Sequence, residues 1–274
     1  MDKKFSDLIP LVIFTSFMTV ATGLICGLTL MQIIEPDMIF TFNNIHIITG
    51  ITLFGFAASF FHLTKKFRAV RALFGMKKSW LSREIFFGSL FMFLLSLIYL
   101  NHYFNLGIHL NLLFSVAAIT SLITVYCVGM VYNLQTQLSW KGSLNLLSPF
   151  ISATLIATTY YQSQMDSSYL PIILLLALDF YYFTKRYKLL LTKKNLTSFH
   201  FPHLIIPSIV YLQIRGIITF LLVPLLLIFG FVPFYLPGIL VVIDRITFYS
   251  SAIQINPDCG VSQVRKKILE QAAN

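Results

Sequence analysis

Eight apolar runs, each close to the length of a membrane crossing, constrain this chain more than any other feature. They cover roughly residues 8–31, 42–63, 84–103, 109–132, 146–162, 169–184, 205–229 and 231–250. A helix rises ~1.5 Å per residue, so about 20 apolar residues cross a hydrocarbon core of ~30 Å. The fifth and sixth runs are short for this and borrow the flanking Tyr160, Tyr161, Tyr181 and Tyr182. The turn Gly230–Pro233, with Pro224, Pro233 and Pro237, argues against one continuous helix through the last two runs. Hydrophobic residues make up 57% of the chain and charged ones 11%, against about 25% charged in a soluble domain. Too few charges remain to cover a surface in water, and a membrane barrel shows short alternating segments instead. The expected fold is an all-α integral membrane protein, a bundle of eight transmembrane helices.

The charges fix the expected orientation. Lys3 and Lys4, seven Lys and Arg between positions 65 and 83, Lys141, the cluster Lys185 to Lys194, and Arg265 to Lys267 all fall on one side of an eight-span arrangement. The opposite loops carry only Glu35, Asp37 and Asp166. Such a one-sided bias places the basic face, and both termini, in the cytoplasm. A net charge of +10 is thus read as membrane topology rather than nucleic-acid binding. Residues 1–250 form the expected eight-span domain and 251–274 a polar cytoplasmic tail. Leu8–Met31 is too long for a signal-peptide core and reads as a retained span. No internal repeat supports an inverted-repeat transporter. Cys26, Cys127 and Cys259 form no CxxC pair or Cys/His cluster, so the chain offers no ligands for zinc or an iron–sulfur cluster.

The stretch Phe61–Ile85 concentrates groups able to do chemistry at a membrane surface. His62, at the end of the second run, titrates near neutrality and can accept a proton; equally, it suits the headgroup level as an amphipathic side chain. Glu84 opens the third run behind Ser82, an expected N-cap; it is either an acid in a helix's first turn or a proton acceptor near His62. Arg68 and Arg71 lie on a segment between them whose pattern suits an interfacial helix. Asp179, Arg215, Asp244 and Arg245 fall inside apolar runs, where ionisable groups are costly and mark function or pairing. Arg215 and Arg245 are each within reach of Asp179, Asp244 or Glu84, or snorkel to the interface. His46 with His102 or His109 is a conceivable pair of haem ligands near the other face.

In order along the chain come Pro10-Leu11-Val12-Ile13-Phe14-Thr15, Phe61-His62-Leu63, Arg68-Ala69, Leu81-Ser82-Arg83-Glu84-Ile85, Val131-Tyr132-Asn133, Trp140, and Arg245 followed by Phe248-Tyr249. This series resembles the membrane anchor subunit of the dimethyl sulfoxide reductase family across nearly the whole chain. The resemblance implies a quinol-oxidising anchor without haem or metal in a bacterial inner membrane. Itself not the catalytic chain, it supplies an anaerobic respiratory oxidoreductase complex with its quinol oxidation site. The anchor binds menaquinol and passes its electrons to a four-cluster iron–sulfur subunit; a molybdopterin catalytic subunit then reduces an S- or N-oxide. Carried over by position, the family's quinol-site histidine falls on His62, the acid opening its third span on Glu84 and the last-span arginine on Arg245, with Arg68 and Arg71 as further candidates to hold the quinone oxygen. Two departures stand out. Thr64-Lys65-Lys66 replaces a Gly-Pro or Ser-Pro pair, and Val241 occupies the place of an acid, with Asp244 nearby instead. The rival readings are a haem-bearing quinone subunit and a non-redox transporter or structural anchor.

Overall fold

The computed structural model describes residues 9–34, 43–62, 75–77, 79–133, 143–165, 169–197, 202–228 and 235–250. Among them there is helix and no strand. The helices are α1 (Ile9–Ile34), α2 (Asn43–His62), α3 (Trp80–Phe104), α4 (Leu110–Val131), α5 (Ser143–Met165), α6 (Leu170–Thr197), α7 (Pro202–Ile217), α8 (Val223–Ile228) and α9 (Leu236–Ser250). A π-helical segment, Ile218–Leu222, joins α7 to α8 without a break, so eight helical stretches follow one another where eight apolar runs are expected. Among the described residues four helices meet both the length and the apolarity needed to cross a membrane: Ile9–Ile34, Trp80–Phe104, Leu110–Val131 and Ile209–Leu227. The tail 251–274 lies outside the described residues.

Helix α1 is the centre, touching α2, α4, α5 and α9. Its Met18, Ile25 and Leu28 pack with Ile45 and Ile48 of α2, Phe91, Leu95 and Ile98 of α3, Phe114 of α4 and Ile156 of α5 in one core. A Cβ on Gly23 would lie 2.6 Å from Ile156 Cβ and 2.7 Å from the Ala153 carbonyl, and one on Gly27 2.9 Å from the Ala157 carbonyl. The two glycines, four apart, let α1 and α5 approach backbone to backbone, which is how helices associate where lipid removes the hydrophobic drive. A second cluster joins α5, α6, α8 and α9 through Leu155, Ile172, Leu176, Val223, Leu236 and Leu240.

Two local expectations change. The sequence placed Lys185 and Arg186 in a loop, yet α6 continues to Thr197, because nothing between Lys185 and Pro202 breaks a helix and the residues are mostly good helix formers. Ser79, not Ser82, caps α3: it is extended at φ −126° and ψ 125°, and its side chain accepts the Ser82 N–H. Glu84 therefore sits in the second turn, beyond the reach of capping. Pro224 lies within the seventh stretch, as the run 205–229 has it; a proline cannot donate to Phe220, and the π segment just before it absorbs the gap in the ladder. Pro237 falls in the first turn of α9, where no donor is needed.

Candidate functional site

The site lies at the end of the bundle where α1, α3, α5 and α7 begin and α2, α4, α6 and α9 finish. Arg83 anchors the start of α3. Its Nε donates to the Met76 carbonyl at 2.8 Å and Nη2 to the Lys77 carbonyl at 3.2 Å, while its guanidinium stacks 4.1 Å over the Trp80 ring. One residue on, around 100° about the helix, Glu84 turns inward and is only 7% exposed.

Two tyrosines connect Glu84 to the last helix. Tyr132, the C-cap of α4, meets Tyr249 of α9 edge to face, with ring centroids 5.3 Å apart. Both tyrosines lie within electrostatic range of Glu84 and of Arg245. Helices α3, α4 and α9 thus bring a carboxyl, two phenols and a guanidinium to one largely buried place. Arg245 is 4% exposed, and its Nε and Nη2 have no hydrogen-bond partner among the described residues.

Behind this lies a buried ionic hub. Arg186 Nη1 donates to Asp244 Oδ1 at 2.8 Å and to the Tyr182 hydroxyl at 2.8 Å. Ser148 Oγ donates to Asp244 Oδ2 at 2.6 Å. Arg215 Nη2 donates to Asp179 Oδ1 at 2.7 Å, and its Nε comes within 3.6 Å of Asp244 Oδ1. Arg245, though next in sequence to Asp244, approaches it only to 4.0 Å. All five side chains are at most 6% exposed. The sequence expectation that Arg215 pairs with Asp179 across helices is met, and snorkelling is excluded for both.

Of the residues singled out from sequence, Glu84 and Arg245 are brought to the same site. His62 is the last residue of α2, and its side chain is outside the described set, as are Arg68, Arg71 and Trp140. The backbones nonetheless bring His62 and Glu84 to the same end. Helices α2 and α3 touch where the Phe56 ring lies 2.5 Å from a Cβ placed on Gly88, six residues before His62 and four after Glu84. On the far side, His46 Nδ1 and the Tyr99 hydroxyl are 2.6 Å apart, and His102 is in the last turn of α3. Sequence reasoning missed Arg186, hidden in the run Lys185-Arg186-Tyr187-Lys188 that reads as a loop. A helical period through that run, placing Arg186 seven residues after Asp179 on one face, was the signal available.

No curated protein and no solved structure matches this chain. The family model described as "DMSO reductase anchor subunit (DmsC)" matches residues 1–180. With that match over well more than half of its length, and with helices apolar and long enough to pass repeatedly through a membrane, the chain belongs to the family of dimethyl sulfoxide reductase membrane anchor subunits.

Proposed function

We propose that this chain is the quinol-oxidising anchor of a dimethyl sulfoxide or N-oxide reductase complex, and that its eight helical stretches all span a bacterial inner membrane with both termini in the cytoplasm. The observation that carries the reading is the buried meeting of Glu84, Tyr132, Tyr249 and Arg245 at the basic end of the bundle. A quinol must lose two protons and two electrons to become a quinone. Each proton needs an acceptor placed at the hydroxyl that releases it, and the charge developing on the oxygen needs a fixed donor. Glu84 and His62 serve as acceptors. Arg245 offers its unpartnered Nε–H and Nη2–H to an oxygen, with Arg68 and Arg71 at the rim. The substrate is menaquinol, and its electrons leave through the clusters of an iron–sulfur subunit to a molybdopterin catalytic subunit, since the sequence offers no Cys/His cluster to ligate such a centre.

The test separates the two half-reactions. In membranes carrying the assembled complex, His62→Ala and Glu84→Gln each lower quinol-dependent reduction of the S-oxide by about a hundredfold, the scale of a lost general base. Reduction driven by an artificial donor that bypasses the anchor stays at the wild-type rate. Equal losses in both assays would refute a quinol role for these side chains.

A further inference from the structure

Arg245 and Asp244 are neighbours in sequence, yet the carboxylate is used by other groups. Successive residues on a helix point about 100° apart, so Asp244 faces α5, α6 and α7 while Arg245 faces the tyrosine pair. Asp244 Oδ1 is occupied by Arg186 at 2.8 Å and Oδ2 by Ser148 at 2.6 Å. The Phe248 ring stands by both arginines, 5.8 Å from Arg186 and 5.7 Å from Arg245. Among the described residues Arg215 also has two guanidinium nitrogens without an acceptor, but Arg245 is the arginine beside the tyrosine pair. An arginine with a carboxylate 4.0 Å away keeps two guanidinium nitrogens without an acceptor, a state that costs free energy unless something else takes those donors.

We propose that Arg186 is a positioning residue for the quinol site: by holding Asp244, it keeps that carboxylate off Arg245 and leaves the Arg245 guanidinium open to a substrate oxygen. This rests on the placing of Arg245 in the quinol site above. A long arginine side chain needs to move only about an ångström to turn a 4.0 Å approach into a charge-assisted hydrogen bond. Without Arg186, Asp244 loses its strongest partner, and Arg245 closes that gap. Arg215 Nε, 3.6 Å from Oδ1, shares the vacated oxygen, but Oδ2, held by the neutral Ser148 hydroxyl, stays open to Arg245.

The experiment compares the two halves of one ion pair in the whole complex. Arg186→Gln and Asp244→Asn break the same contact, so a purely structural role gives both the same phenotype. Positioning gives different ones. Arg186→Gln raises the KM for quinol by about five- to tenfold, the weight of one hydrogen bond, with artificial-donor turnover unchanged. Asp244→Asn leaves the quinol KM within about twofold of wild type, and the double variant follows Asp244→Asn. Equal KM values in the two single variants overturn the proposal. Should Arg186→Gln not accumulate, Arg186→Lys carries the test, since a single ammonium holds the carboxylate less fully than a planar fork. Its smaller rise in KM disappears when Asp244→Asn is added, and the absence of any rise overturns the proposal. Arg245→Gln distinguishes the two levels of argument. If it leaves the quinol KM unchanged, the placing of Arg245 falls; if it raises KM and Arg186→Gln does not, only the positioning role falls.

Discussion

Helix α1 meets α5 through Gly23 and Gly27 set against Ala153, Ile156 and Ala157, whereas α6 meets α7 and α9 through Asp179, Arg186, Arg215 and Asp244. The two regions solve one problem in opposite ways. Lipid is as apolar as leucine, so burying a leucine between helices gains little there. The first region gains contact by removing side chains until backbones touch. The second gains it by burying charges that have nowhere else to go. Close packing degrades by degrees when a group is added; an ion pair fails at once when one partner is removed, because the other is left uncompensated. The family model ends at residue 180 and so covers the packed region and, of the hub's acids and arginines, Asp179 alone.

The sharpest way to break this contrast is Arg215→Met. It strands Asp179, 2% exposed, and the expected loss is about 3–5 kcal/mol, as for a single break in a buried pair. Adding Asp179→Leu recovers much of that loss, because a neutral pair carries no uncompensated charge. Titration of the purified protein with a denaturing detergent reads both. A double variant no better than the single one shows that the two charges are not coupled. Next in size is Gly23→Leu, which forces α1 from α5 and costs about 1–3 kcal/mol by overpacking. No second-site charge change offsets it, and Ile156→Ala recovers only part of the loss, because the Cβ of residue 156 and the Ala153 carbonyl still crowd the site.

What the sequence discloses follows the same division. Apolar length locates the helices to within a few residues, the end of α6 excepted, since hydrocarbon thickness sets the length of a span. Glu84 and Arg245 are legible because a charge inside an apolar run is conspicuous. Arg186 is not: among Lys185 and Lys188 its charge is ordinary, and only the extension of α6 to Thr197 carries it inward. Ser79 was overlooked for a related reason. Ser82 stood nearer the apolar run, but the polar turn from Gly75 already closes onto Ser79 through its N–H to the Gly75 carbonyl at 3.1 Å. The tyrosine pair joins residues far apart in sequence, and a single sequence holds no record of which helix ends meet.

The smallest expected effect lies where the packed region uses polarity at all. Thr29 of α1 donates its hydroxyl to its own Ile25 carbonyl at 2.7 Å and approaches the Phe114 carbonyl of α4 at 3.2 Å. One hydroxyl hydrogen serves two acceptors, and both carbonyls already belong to helical ladders. Thr29→Val keeps the shape and removes the donor, so neither carbonyl is orphaned. The expected cost is about 0.6 kcal/mol, the typical weight of an interhelical hydrogen bond in a membrane. The same detergent titration resolves it against Arg215→Met as an internal scale. If Thr29→Val instead cost as much as breaking the Arg215–Asp179 pair, polar contacts would govern both regions. The α1–α5 approach at Gly23 and Gly27 would then be a consequence of the fold rather than what holds it.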